Sequence, residues 1–194
     1  MKIEPVRVTS PLSRTTAQSL RVGDEVLISG VIYTARDAAH TRLVNLIEKE
    51  KPLPFPLENQ IIYYTAPTPA RAGRPFGSCG PTTSARMDRC TPRLLSKGLR
   101  GMIGKGQRSG AVREALGKYK AVYFLTFGGA GAYLSKRVKR AEIVAFSDLG
   151  PEAVYKLRVE DFPAIVGIDT RGADLYENLW MRESDAEKGW TLSQ

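Results

Sequence analysis

Apolar and polar positions alternate along VGDEVLISGVIYTA (22–35), a period of two that predicts strand, interrupted at Gly30. The pattern then changes to helical spacing over DAAHTRLVNLIEKE (37–50). There Ala38, Leu43, Leu46 and Ile47 share one face and Asp37 stands where a cap belongs. Proline-rich 51–60 and Pro/Gly-rich 67–80 read as loops on either side of an apolar strand, IIYYTA (61–66). Residues 84–98 have helical spacing but contain Pro92, so the helix is expected to be interrupted or to begin near Thr91. A short buried strand (101–104), a helix (111–119), a strongly apolar strand (121–127) and a glycine turn into a helix (128–138) follow. Three more strands are predicted at 141–146, 153–159 and 164–169. Strands alternate with helices in the middle of the chain and neighbour one another at its ends. This order predicts an α/β class, layered, with a mixed sheet rather than a barrel. The expected division is one domain over 1–178 and a polar C-terminal tail over 179–194.

Composition narrows the partners. A chain of 194 residues, 42% apolar and 25% charged, suits one domain with a real core. No apolar run approaches the roughly 18 residues that span a bilayer, and MKIEPVRVTSPLSR lacks the apolar stretch of an export signal. The two cysteines, Cys79 and Cys90, form neither a disulfide framework nor a metal site. They read as reduced thiols of a cytoplasmic protein. The net charge of +9 fits nucleic acid, an anionic substrate or an acidic partner subunit. The cations are scattered, however, and the densest cluster is only KRVKR (136–140). With no basic tail and no aromatic-interleaved motif, the case for nucleic acid rests on charge alone and is weak.

The candidate chemistry gathers at three places. GPTTSARMD (80–88) reads as a loop entering a helix, with Thr82, Thr83 and Ser84 as hydroxyls and Arg86 as a guanidinium. Such a place suits a carboxylate or phosphate, although an ordinary helix cap looks the same locally. Arg36 joins a strand to a helix in TARDAAHTRL (34–43), and Lys105 does so in GMIGKGQRSG (101–110). In α/β sheets these transitions collect on one edge, where ligands bind. Three cations and a hydroxyl-rich loop there suit a small dicarboxylate. GKG (104–106) lacks the spacing of a nucleotide phosphate loop, and GGAG (128–131) is not a dinucleotide turn. These glycines are expected to allow close packing or a tight turn near the shared site. His40, the single histidine, is expected to orient Arg36 or its loop rather than to act on substrate. No pair of carboxylates and no Ser–His–Asp pattern is placed for acid–base work.

TARDAAH (34–40), GPTTSARMD (80–88) and GMIGKG (101–106), in this order, resemble the beta subunit of two-subunit iron–sulfur (class I) fumarate hydratases and the related L-tartrate dehydratases. FGGAGA (127–132), 148–166 and IDTRGADLY (168–176) extend the resemblance across residues 20–177. Ala66 stands where a glycine is expected before Pro67, and Arg89 and Cys90 vary a less regular stretch; neither departure touches the three stations. The resemblance implies a swivelling β/β/α domain, equivalent to the C-terminal domain of the single-chain enzymes. It implies an alpha subunit carrying a [4Fe-4S] cluster whose open iron serves as a Lewis acid, no metal on this chain, and a dimer of heterodimers. It also implies that Arg36, Arg86 and Lys105 bind the substrate carboxylates and that Thr82 is the base; Thr83 and His40 are expected from their positions to support them. The implied reaction is reversible hydration of fumarate to (S)-malate. Dehydration of L-tartrate is the nearest alternative, and a basic nucleic-acid-binding or regulatory module is the distant one.

Overall fold

The computed structural model describes residues 4–177. Its elements run β1 (Val6–Ser10), α1 (Arg14–Ser19), β2 (Glu25–Thr34), α2 (Asp37–Glu48) and β3 (Ile61–Tyr63). After a 3₁₀ turn at Ser84–Met87 come α3 (Thr91–Ser96), β4 (Gly101–Gly104), α4 (Gly110–Tyr119), β5 (Val122–Leu125), α5 (Gly131–Ser135) and β6 (Val138–Ala145). A kinked 3₁₀ segment at Ser147–Glu152 leads to the last strand, β7 (Val154–Ile168). The polar tail expected over 179–194 lies outside the described residues.

The sheet is mixed, as the alternation of elements predicts. Strands β1 to β5 pair in parallel with their neighbours, whereas β7 runs antiparallel to β2, β5 and β6. Because β7 bonds both β2 and β5, the pairing closes into a circuit, β2–β3–β4–β5–β7, with β1 and β6 as flanks. The closure corrects the expectation of a sheet with no barrel character. Its cause is the length of β7, whose two edges reach strands that the parallel part holds apart.

Three layers follow from the period of two. Ile61, Tyr63, Ile103, Val122 and Phe124 point into a core shared with β2, β7 and α1. The alternate residues, Ile62, Tyr64, Met102 and Tyr123, join a second core with α2, α3 and α4. The short parallel strands are therefore buried on both faces, which is why they read as apolar runs rather than as alternation. Helix α2 buries Ala39, His40, Leu43 and Ile47, a face turned slightly from the expected one, leaving Ala38 and Leu46 only partly covered.

Several elements differ from the sequence expectation. Gly30 does not break its strand. It continues β2 at φ +114°, and a β-carbon there would collide with the Ser10 carbonyl of β1. Likewise β7 is one strand of 15 residues where two were expected. Ile28 pairs with Phe162 and Gly30 with Val159, so β7 carries one extra residue, a bulge. Asp161 sits there at φ +47°, its amide donating to the Ser29 hydroxyl at 2.9 Å. The helix expected over 128–138 is limited to α5, and β6 begins at Val138. The elements β1 and α1 went unpredicted, since VRVTS has only two buried residues and α1 buries only Ala17.

Candidate anion site at the carboxyl edge of the parallel strands

Arg36 follows the end of β2, the Thr82 loop lies beyond the end of β3, and Lys105 follows β4. Since these strands are parallel neighbours, all three stations fall on one edge, as their shared position predicts. The Thr82 segment is wedged between the strand ends by its backbone. The Thr82 amide donates to the Tyr64 carbonyl at 2.7 Å, and the Ser84 amide donates to the Lys105 carbonyl at 2.9 Å. Thr83 forms an isolated parallel bridge with Lys105.

This wedge changes the nature of the motif. It is extended backbone followed by a single 3₁₀ turn, not the mouth of an α-helix, and Thr83 makes no capping bond. The α-helix begins only at Thr91, with Pro92 in its first turn, as the proline predicts. A macrodipole therefore contributes little here. Glycine makes the wedge possible: a β-carbon at Gly104 would collide with the Ser84 hydroxyl and stand 3.1 Å from Tyr64 Cδ2. Gly104→Ala is expected to lower stability by about 1–3 kcal/mol, seen as a drop of several degrees in Tm. A Tm equal to that of the parent would show that the wedge yields freely. Of the glycines at 128–131, Gly131 packs closely, its carbonyl accepting from the Cys79 amide at 3.2 Å, Gly128 lies next to Lys105, and Gly129 makes a turn at φ +78°.

The two arginines meet around acids. Arg86 contacts Asp37 through Nε at 2.9 Å and Nη2 at 2.7 Å, and Arg36 Nε lies 3.7 Å from the same carboxylate. Arg36 also donates to Glu152 Oε1 from Nε at 2.9 Å and Nη2 at 2.8 Å. Asp37 is thus not the cap of α2. Arg36 occupies the cap position but its side chain makes no capping bond, and Glu152 Oε2 accepts from the Ala38 amide at 2.9 Å instead. Burial pushes the Glu152 carboxyl up, but the Ala38 amide and Arg36 outweigh it and hold the group below the usual carboxylate range. Arg86 remains about half exposed and Arg36 about a quarter.

Lys105 differs from both. Among the described residues no carboxylate lies within ion-pair distance of its ammonium group. Thr82 is buried at 8% exposure, and Thr83 beside it is exposed. The edge therefore presents a free ammonium, two guanidinium groups held in place by acids, and a hydroxyl loop, a set able to receive an anion.

His40 is 1% exposed, one turn into α2. Its Nδ1 lies 3.2 Å from the Arg36 carbonyl, to which it donates, and its ring meets Tyr64 edge-on at 5.2 Å. Burial, with Arg108 nearby, pushes its pKa down to about 4, so the ring is neutral at pH 7.

Sequence reasoning missed the polar group beneath the site. Arg108 is buried, with its side chain fully covered, and donates to Asp88 Oδ1 from Nε at 2.7 Å and to Thr91 Oγ1 from Nη2 at 2.8 Å. Its guanidinium lies over the rings of Tyr123 (4.9 Å) and Tyr64 (5.4 Å). The Tyr123 hydroxyl stands 2.8 Å from both Ser84 Oγ and the Gly106 carbonyl oxygen. An arginine in GQRSG reads locally as a solvated charge. The only hint in the sequence is an acid at the end of the Thr motif, Asp88, in search of a partner.

A mixed sheet delivers two arginines, a lysine and a threonine loop to one edge of an α/β domain. The chain belongs to the family described as Fumarase C-terminus, whose model matches residues 2–179. It is 38% identical over 178 residues to "Fumarate hydratase class I, anaerobic" of Escherichia coli (strain K12), covering 90% of this chain and 32% of that protein. It is 40% identical over 154 residues to "Fumarate hydratase 1, mitochondrial" of Leishmania major, covering 78% of this chain and 28% of that protein. It is 37% identical over 174 residues to the "Putative L(+)-tartrate dehydratase subunit beta" of Methanocaldococcus jannaschii, covering 87% of this chain and 89% of that one. The chain thus spans about a third of the length of the fumarate hydratases it matches.

The iron–sulfur cluster implied by the resemblance does not fit the residues of this chain. It has two cysteines, and three are needed. Cys79 is buried with Sγ 3.9 Å from the Gly131 carbonyl, and burial pushes its thiol up to about 12, away from the thiolate that a metal requires. Among the described residues no group of three His, Cys, Asp or Glu side chains is arranged to hold a metal. Also among them, no helix is long and apolar enough to cross a membrane.

Proposed function

We propose that this chain is the beta subunit of an iron–sulfur hydro-lyase that interconverts fumarate and (S)-malate. In this reading Arg36, Arg86 and Lys105 clamp the substrate carboxylates, and Thr82 exchanges the carbon-bound proton. The observation that carries it is that the Lys105 ammonium has no acidic partner among the described residues, on a residue whose backbone bridges to Thr83 of the Thr82 segment. A dianion supplies the missing negative charge there, and the remaining guanidinium protons orient its second carboxylate. Asp37 and Glu152 hold the two arginines in position before substrate arrives, which lowers the ordering cost of binding. A threonine hydroxyl is too weak an acid to ionise freely near neutrality, so the base role depends on neighbouring cations, Lys105 and Arg86, favouring the alkoxide. The cluster belongs to an alpha subunit, and the two subunits meet at the edge that carries Thr82 as a dimer of heterodimers.

Dehydration of L-tartrate is the second reading, favoured by the relative of matching length, which is itself described as a tartrate dehydratase beta subunit. Both substrates present two carboxylates to the same cations. Anaerobic assays of the co-purified complex with malate and with L-tartrate separate the two. Arg36→Met and Arg86→Met are each expected to raise KM by about tenfold or more, the loss of a charge-assisted hydrogen bond. An unchanged KM in both, and in Lys105→Met, would remove the clamp and the proposal with it.

A further inference from the structure

Arg108 carries a charge into the interior next to a site that the charge does not touch. Its fork joins two loops. One end holds Asp88, which closes the Thr82–Arg86 segment, and Asp88 Oδ2 also accepts from the Ser109 amide at 2.7 Å, at the end of the Lys105 loop. The other end holds Thr91, the first residue of α3, whose hydroxyl also donates to the Met87 carbonyl at 2.9 Å. Tyr123 repeats the connection nearer the edge, standing between Ser84 on one loop and Gly106 on the other. Stability alone does not explain the arrangement. A buried ion pair is often no better than apolar side chains of the same volume, and here Arg108 Nη1 is buried without any hydrogen-bond partner. A planar fork with two fixed acceptors does supply something that apolar packing does not, namely a set spacing between two loops.

We infer that Arg108, acting through Asp88 and Thr91, is a positioning residue that sets the distance between the Thr82–Arg86 wall and the Lys105 wall of the site. The inference rests on the function proposed above. Arg36 makes no hydrogen bond to Arg108, Asp88 or Thr91, and its guanidinium is held by Glu152.

Arg108→Lys is the decisive variant, because it keeps the charge and loses the fork. In the complete complex, with malate as substrate, we expect kcat to fall by roughly 10–100-fold while Tm stays within a few degrees of the parent. Thr91→Val removes only the acceptor of Nη2, and a smaller fall, several-fold, is expected. A purely structural role predicts a lower Tm with kcat per folded molecule unchanged. Arg108→Lys folded, with kcat and KM within twofold of the parent, would overturn the inference. Should Arg108→Lys not fold, Thr91→Val decides in the same way, an unaltered kcat counting against it. If Arg86→Met and Lys105→Met raise KM while the Arg108 and Thr91 variants are silent, only this inference fails. If the two clamp variants are also silent, the functional reading fails first.

Discussion

Thr82→Ala in the assembled complex is expected to reduce kcat by about 10²–10⁴-fold, the range of a lost proton-transfer group. KM should change little, because the side chain removed is not one of the proposed clamps. The fold should survive. Thr82 is held by its backbone, through its amide to Tyr64 and its carbonyl from the Lys105 amide at 3.4 Å, and alanine keeps both bonds. Thr82→Ser separates two versions of the role. A serine hydroxyl restores the proton-transfer group but not the methyl, so it should recover much of the lost rate if the oxygen is the reacting atom. Loss of a carbon-bound proton can be followed directly, by exchange of the malate methylene hydrogens with deuterated solvent. Turnover of Thr82→Ala within twofold of the parent would exclude Thr82 as the base and direct attention to another group, supplied by the partner.

A second large effect should appear in acid. His40 is neutral and buried in the folded protein with a pKa near 4, against an ordinary 6.5. Between these values the unfolded chain binds a proton that the folded chain rejects, so stability falls as pH falls through this interval. From pH 7 to pH 4.5 the loss is roughly 2 kcal/mol from this one group, a large share of a typical folding free energy. The direction is clear from the surroundings. Burial disfavours the imidazolium, the Arg108 charge disfavours it further, and Asp37 and the Arg36 carbonyl offset only part. Urea unfolding at pH 7 and pH 4.5 measures the difference, and His40→Gln should flatten the profile between pH 6.5 and 4.5. An identical slope in the variant would assign the acid sensitivity to other groups. Glu152, held below the usual range, adds its own loss only as pH falls further.

The stations themselves were legible because their signals are local. A glycine or a cation at the junction between an apolar strand and a helix can be read within ten residues, and Arg36, Thr82 and Lys105 do lie on one edge. Local reading also led to errors. Consecutive hydroxyls before Ala85 resemble a helix cap, yet Thr83 spends its backbone on the bridge to Lys105 instead. Asp37 before an amphipathic stretch likewise resembles a cap, yet its carboxylate faces Arg86 from the other loop. Glycine at 30 suggests a strand end, whereas β2 runs on through it beside a bulge in β7.

Chain-local chemistry therefore decides which residue types stand at the strand ends, since turns, strands and hydroxyl-rich loops are set by neighbours in the sequence. It does not decide which of them are engaged. Arg36 finds Glu152, Arg86 finds Asp37 and Arg108 finds Asp88 across 116, 49 and 20 residues of chain. Only packing of the helices against the closed sheet brings these partners within hydrogen-bond reach. Among the described residues, that packing leaves Lys105 as the cation without an acid among the three stations, and it turns an arginine that reads as surface charge into a buried one beneath them.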